Sequence, residues 1–263
     1  MLIIGERINS SRKPIAQAVA SGDKAFIQRE ARMQEEAGAD YLDVNAGVFL
    51  GEESDRLKWI IETVQEVISI PLCIDSADAQ VIAAVLPLVN SPPMINSITL
   101  EARSLESTLP LVVKHKAKVI GLCQGQGQLA QSAQIKVELA GRLVEKVTAA
   151  DISLDDLYID PLIFPLANDV GSGVAFLQAI SRIMKDYPGI HTVCGLTNIS
   201  YGLPNRKLIN RTFLIAAIAS GMDSAILDPT DRDLYRLFRT AVMVMGMDDF
   251  CMDYIRAYKQ GRL

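Results

Sequence analysis

Eight short apolar runs recur along the chain, separated by longer stretches with helical spacing, and this alternation restricts the fold more than any other feature. The runs lie at 2–6 (LIIGE), 41–45 (YLDVN), 71–75 (PLCID), 94–98 (MINSI), 118–123 (KVIGLC), 157–163 (LYIDPLI), 192–197 (TVCGLT) and 224–228 (SAILD). They are apolar nearly throughout, as strands covered on both faces should be. Between them, 23–38 (DKAFIQREARMQEEAG) sets Ala25, Phe26, Met33 and Ala37 in a stripe beside a charged face, with Gly38 placed to end the helix. The stretch 132–150 has similar spacing. No Pro/Gly/Ser-rich linker interrupts the series, and 263 residues with 49% hydrophobic content can bury one large core. The pattern predicts an α/β fold, a (β/α)8 TIM barrel forming a single domain over 1–263. A doubly wound open sheet is the alternative. It calls for a glycine fingerprint after the first strand, and residues 8–13 offer none.

The charge balance narrows the partners. Net charge is −5 with acids and bases well mixed, which leaves no basic footprint for nucleic acid. The first residues, MLIIGERIN, bring Glu6 and Arg7 directly after a short apolar run, so neither a signal peptide nor a membrane anchor is expected. Cys73, Cys123, Cys194 and Cys251 are widely spaced with no CxxC pair. They read as reduced thiols of a cytoplasmic protein rather than a disulfide framework or a zinc site.

A TIM barrel places its chemistry at the C-terminal ends of its strands. Those ends carry Glu6, Arg7 and Asn9; Asp43 and Asn45; Asp75 and Ser76; Asn96; Gln124; Asp160; Asn198; and Asp228. This crown consists mainly of carboxylates and amides. Both histidines fall towards the opposite rim, His115 on a helix before strand five and His191 just before strand seven. No lysine sits at a strand end, which argues against a Schiff-base aldolase, a His/carboxylate metal hydrolase or a histidine general base. The site is expected to recognise its ligand by hydrogen bonds.

Each crown residue also has a structural reading. Asp75 and Asp228 are candidate helix caps, although Ser76, Asp78 and Thr230 are better placed for that work. Asp160 stands among apolar residues in YIDPLIFPLAN, far from a helix start, and needs a buried donor that a ligand with adjacent N–H groups would supply. Asn96 interrupts an apolar strand with an amide that donates and accepts at once. Cys123 reads as a small buried thiol. The glycine pairs at 125–128 (GQGQ) and 171–173 (GSG) read as plain rim loops in preference to phosphate nests. The tail DDFCMDYIRAYKQGRL reads as a last amphipathic helix serving as packing or dimer surface.

Six stretches in order, LIIGERIN, LCIDS, MINS with Glu101 following, DLYIDPLI, GLTNIS and NRKLINRTF, together resemble the methyltetrahydrofolate:corrinoid methyltransferases. That group belongs to the pterin-binding barrel superfamily, with dihydropteroate synthase and the folate module of methionine synthase. The resemblance covers essentially the whole chain. It implies that Asp75, Asn96 and Asp160 hold the pterin, the carboxylates accepting from its amine and ring N–H donors. It implies that Asn198 reaches N5, the atom that gives or receives the methyl group. An amide suits that place, because N5 changes between protonated and alkylated states. The resemblance also implies a folate contact at Tyr201, while Arg206 is read as a partner of the folate glutamate tail or as a solvated helix-start arginine. After Asn198 this chain has SYGLP, where the acetogen-type members carry a polar run with a glutamine.

The implied activity is methyl transfer between a corrinoid and tetrahydrofolate, with no metal held by the chain itself. The chain lacks the DxHxxG cobalamin signature, so the corrinoid is expected on a partner protein that docks over the barrel mouth. Members of the family resemble homodimers. A dihydropteroate-synthase-type condensation and a non-catalytic folate-binding barrel remain the alternatives. The first of these expects an NxTPDSF-like opening loop, where this chain has RINSSRKP.

Overall fold

The strands form because their residues are buried on both faces, and they pair in chain order. In the computed structural model, which describes residues 1–263 apart from Gln126, Gln128 and Leu129, they are β1 Leu2–Asn9, β2 Tyr41–Asn45, β3 Leu72–Asp75, β4 Met94–Ile98, β5 Lys118–Leu122, β6 Leu157–Asp160, β7 His191–Thr192 and β8 Ser224–Leu227. The helices are α1 Lys13–Ser21, α2 Lys24–Glu36, α3 Glu53–Gln65, α4 Ala79–Val85, α5 Ala102–Ser107, α6 Leu109–His115, α7 Ala133–Thr148, α8 Ser172–Asp186, α9 Arg206–Ala219, α10 Arg232–Val244 and α11 Met252–Lys259. All strand pairs are parallel, in the order β7-β6-β5-β4-β3-β2-β1-β8. With β8 beside β1, the Gly195–Ile226 bridge and the Ile226 N–H to Cys194 oxygen bond (2.9 Å) join the two ends. This is a barrel, and the open doubly wound sheet is excluded.

Ile4, Cys73, Met94, Ile120, Tyr158 and Val193 fill the inside of the barrel, while the larger apolar clusters lie between sheet and helices. Four helices begin with a side-chain cap. Asp23 accepts from the Phe26 amide, Asp78 from Gln80, Ser132 from Ile135 and Asp231 from Leu234. Asp75 is thus free of capping duty, and at α10 the cap is Asp231 rather than Thr230.

Two strands are shorter than the sequence predicts by three residues or more. β6 stops at Asp160 because Pro161 has no N–H to donate and Leu162 adopts φ +60°. β7 keeps only two residues, after which Leu196–Ser200 winds into a 3₁₀ turn. Asn198 therefore sits on that turn and is exposed, rather than ending a strand. His191 opens β7 at the far rim, stacked on Tyr158 with ring centroids 4.6 Å apart. The GQGQ segment falls partly on Gln126 and Gln128, outside the described residues. GSG is no plain loop: Gly171 is the N-cap of α8 and Ser172 and Gly173 open the helix, with the Ser172 hydroxyl accepting from the Phe164 amide at 2.9 Å.

Candidate active site

The C-terminal strand ends surround a cavity of about 940 Å³, large enough for a drug-sized ligand. Register builds its floor: Asn9 pairs with Asn45, Asn45 with Asp75, and Asp75 with Asn96, a row across β1 to β4. Asn45 orients this row. Its Oδ1 accepts from the Ser10 hydroxyl (3.0 Å) and the Gly47 amide (3.0 Å), and its Nδ2 donates to Asp75 Oδ2 (3.0 Å). Asn96 Nδ2 points at Asp43 Oδ1 (3.4 Å), which takes up one of its two N–H donors and leaves the second and Oδ1 without a hydrogen bond among the described residues.

The floor is rich in carboxyls. Burial pushes Asp43 and Asp75 upwards, and at Asp43 the facing Asp75 charge adds to the effect. Burial, then the nearby Asp228 charge, lifts Glu6 up to about 7 against the pull of Arg12 and Arg206. Glu6 reaches the cavity through a register shift in β1 between Gly5 and Ile8, where the Arg7 amide pairs with Gln34 Oε1 (2.9 Å). Arg7 itself is engaged by Glu30 (2.7 Å) and Asp228 (2.7 Å), tying β1 to α2 and the β8 end. Carboxyls that ionise near neutrality match a ligand edge bearing several N–H donors, because such a ligand compensates their buried charge.

Asp75, Asn96, Asn198, Tyr201 and Arg206 all line this cavity; Asp160 is not among its lining residues. Asp160 is 7% exposed, and burial lifts it up to about 7. Sequence reasoning asked for a ligand as its donor, but one donor comes from its own loop: the Leu162 amide meets Oδ1 at 2.8 Å. Oδ2 has no hydrogen bond among the described residues. Arg206 is exposed at the start of α9 and its guanidinium is partly engaged: Nη2 donates to the Thr197 oxygen (2.8 Å) and Nε to Ser200 Oγ (3.0 Å). It also stacks over the Tyr201 ring at 5.8 Å, so it braces the turn carrying Asn198. The side chain of Asn198 makes no hydrogen bond among the described residues. Gly195 gives it room: a Cβ there would lie 3.0 Å from Asn198 Nδ2.

Sequence reasoning placed Glu6, Asp43 and Asn45 on the crown without assigning them roles. Arg12, Lys207 and Arg211, which also line the cavity, the last two paired with Asp231, were missed. The i, i+4 step from Lys207 to Arg211 was the available signal. Cys123 is buried, and burial pushes its thiol far up, so it is no nucleophile. Among the described residues, no group of three or more His, Cys, Asp or Glu side chains is arranged to hold a metal ion.

Residues 5–228 of this parallel barrel match the family model for pterin binding enzymes. The chain belongs to the pterin-binding enzyme family. Over its whole length it is 36% identical to the methylcorrinoid:tetrahydrofolate methyltransferase of Eubacterium limosum, across 98% of that protein. It is 29% identical over 240 residues to methionine synthase of Mycobacterium tuberculosis, a match over 86% of this chain and only 20% of that longer protein. The structure of a dihydropteroate synthase from Coxiella burnetii in complex with pteroic acid covers 94% of both chains, with a TM-score of 0.70 at 17% identity. That last likeness is one of fold alone.

Proposed function

We propose that this chain, as one pterin-binding domain over 1–263, is a methyltransferase moving a methyl group between the cobalt of a protein-bound corrinoid and N5 of tetrahydrofolate. The observation that carries the reading is the division of the mouth. Buried and half-buried acceptors sit on one side, and an exposed, uncharged amide with a braced turn sits on the other. The family membership and the full-length likeness to a methylcorrinoid:tetrahydrofolate methyltransferase support it.

Asp75 and Asp160 accept from the pterin's N–H donors, and Asn96 presents its Oδ1 beside them. Asn198 faces N5. When N5 takes the methyl, it loses a proton; in reverse, a methylated N5 leaves more readily once protonated. The Asn198 amide accepts from N5–H in one state and donates to the N5 lone pair in the other. A contact that strengthens as charge develops lowers the barrier, by about 2–4 kcal/mol for comparable donors. Glu6, half-protonated near neutrality, is suited to hold or pass that proton. Arg206 positions the Asn198 turn, Tyr201 offers its 67%-exposed ring to the folate, and Arg12 and Lys207 face the anionic tail.

The methyl-carrying corrinoid is a second substrate delivered by a partner protein over the open mouth, and the chain itself supplies no metal. The same reading takes the protein as cytoplasmic and homodimeric. The free cysteines support the first. The exposed apolar side chains Val244, Met245, Phe250, Met252 and Tyr258 around α11 support the second. No helix of the described residues is long and apolar enough to cross a membrane. The test is spectroscopic. Loss of the methyl–cobalt absorbance of a methylated corrinoid protein should require both this chain and tetrahydrofolate. An unchanged spectrum with every corrinoid protein tried, alongside measurable folate binding, would leave only a folate-binding barrel.

A further inference from the structure

Lys136 lies on α7 at the same face as Ala140, Leu143 and Val147, and its side chain is wholly buried, with 0% exposure. A buried ammonium is costly unless its protons are taken up. Its Nζ donates to the Pro161 oxygen at 2.6 Å and also to the Leu162 oxygen, and it lies 5.1 Å from the centre of the Phe164 ring. Pro161 and Leu162 directly follow Asp160. Leu162 holds φ +60°, a conformation that a non-glycine residue keeps only when its surroundings enforce it. Here both of its backbone polar groups are engaged: the carbonyl by Lys136, the amide by Asp160 Oδ1 at 2.8 Å. Burial lowers the Lys136 ammonium to about 8, which leaves it mostly charged at neutral pH.

We propose that Lys136 is a positioning residue for the pterin site. By gripping the Pro161 and Leu162 carbonyls it fixes the loop amide on one oxygen of Asp160 and leaves the other oxygen for the pterin. Lys136 touches no substrate and acts only through this loop. The inference rests on Asp160 being a pterin acceptor, so the test separates the two claims.

Tetrahydrofolate titrations of wild type, Lys136→Met, Asp160→Asn and the double variant form a double-mutant cycle, with melting curves alongside. Methionine keeps the length of the stem and removes the charge. Each single change should weaken binding by about 10-fold, the worth of one buried polar contact. The double variant should bind no more weakly than Asp160→Asn alone. Additive losses, or an earlier melt with unchanged affinity, would make Lys136 a structural pillar and overturn the proposal. Wild-type affinity in Asp160→Asn would overturn the reading of Asp160 and this inference with it. Should Lys136→Met fail to fold, the ammonium resonance of Lys136 in ¹⁵N-lysine-labelled protein decides. It should shift on saturation with tetrahydrofolate in wild type and stay in place in Asp160→Asn. No shift in wild type would refute the coupling.

Discussion

Asn198 and Gly195 show how much of this site depends on single atoms. The glycine has φ −69°, which any residue adopts, so its backbone does not demand glycine. What it provides is space beside Asn198 Nδ2, which a methyl group would approach to 3.0 Å. The obstructed atom ends a flexible side chain, so the fold can yield. Gly195→Ala should therefore melt within a few degrees of wild type, the range of a small surface change. Methyl transfer at saturating folate should nevertheless slow by about 10-fold, because the amide is displaced from its reacting position. Rates measured beside melting curves check this; an equally fast variant would show that the amide needs no fixed place. The acid row was legible as residues at strand ends. Its organisation was not, because the Asn45 amide that orients Asp75 acts across strands, and sequence spacing does not reveal that. Lys136 was equally hidden. It reads as a surface lysine until its spacing with Ala140, Leu143 and Val147 is noticed.

Among the elements, β7 departs most from its sequence. TVCGLT is apolar because it is buried, not because it pairs along its length, and burial alone does not distinguish a strand from a tight turn. The short strand is held at its start by Asp223. Oδ1 accepts from the Thr192 amide (2.9 Å), and Oδ2 pairs with His191 Nδ1 (2.5 Å). The hydrogen bond to Asp223 raises the His191 imidazole above its ordinary value, with Asp155 adding to the effect. A group raised in the folded state stabilises fully below its unfolded value of about 6.5 and loses that contribution as pH climbs through the folded value. His191→Gln should thus lower the melting temperature clearly at pH 6 and much less at pH 9. A constant gap across that range would mean the contact is not charge-assisted. The other seven strands were legible, since a covered parallel sheet leaves continuous apolar runs that no surface helix imitates.

At the scale of the molecule, the barrel supplies an open mouth of about 940 Å³ and a floor of acceptors. Strand order and the eight-fold alternation were readable because they follow from chain-wide patterning. The contents of the mouth were readable only where a residue type broke that pattern. An open mouth leaves the positioning of the corrinoid to whatever carries it. Free methylcobalamin should consequently serve with a kcat/KM at least about 10-fold below that of a cognate methylated corrinoid protein, since orientation then has no source. Equal efficiency for the two would remove docking from the mechanism.

The division of the mouth into a binding floor and a reacting amide predicts opposite kinetic signatures for its two sides. Single-turnover methyl transfer, followed over a range of folate concentrations in Asn198→Ala and Asp160→Asn, reads both at once. Asn198→Ala should lose about 10²-fold in rate at saturating folate with little change in folate affinity, as for a contact made mainly in the transition state. Asp160→Asn should bind folate more weakly by about 10-fold and recover most of its rate once saturated. An Asn198→Ala protein that binds folate poorly, melts early and still transfers methyl at the wild-type rate when saturated would contradict the assignment of Asn198 to N5.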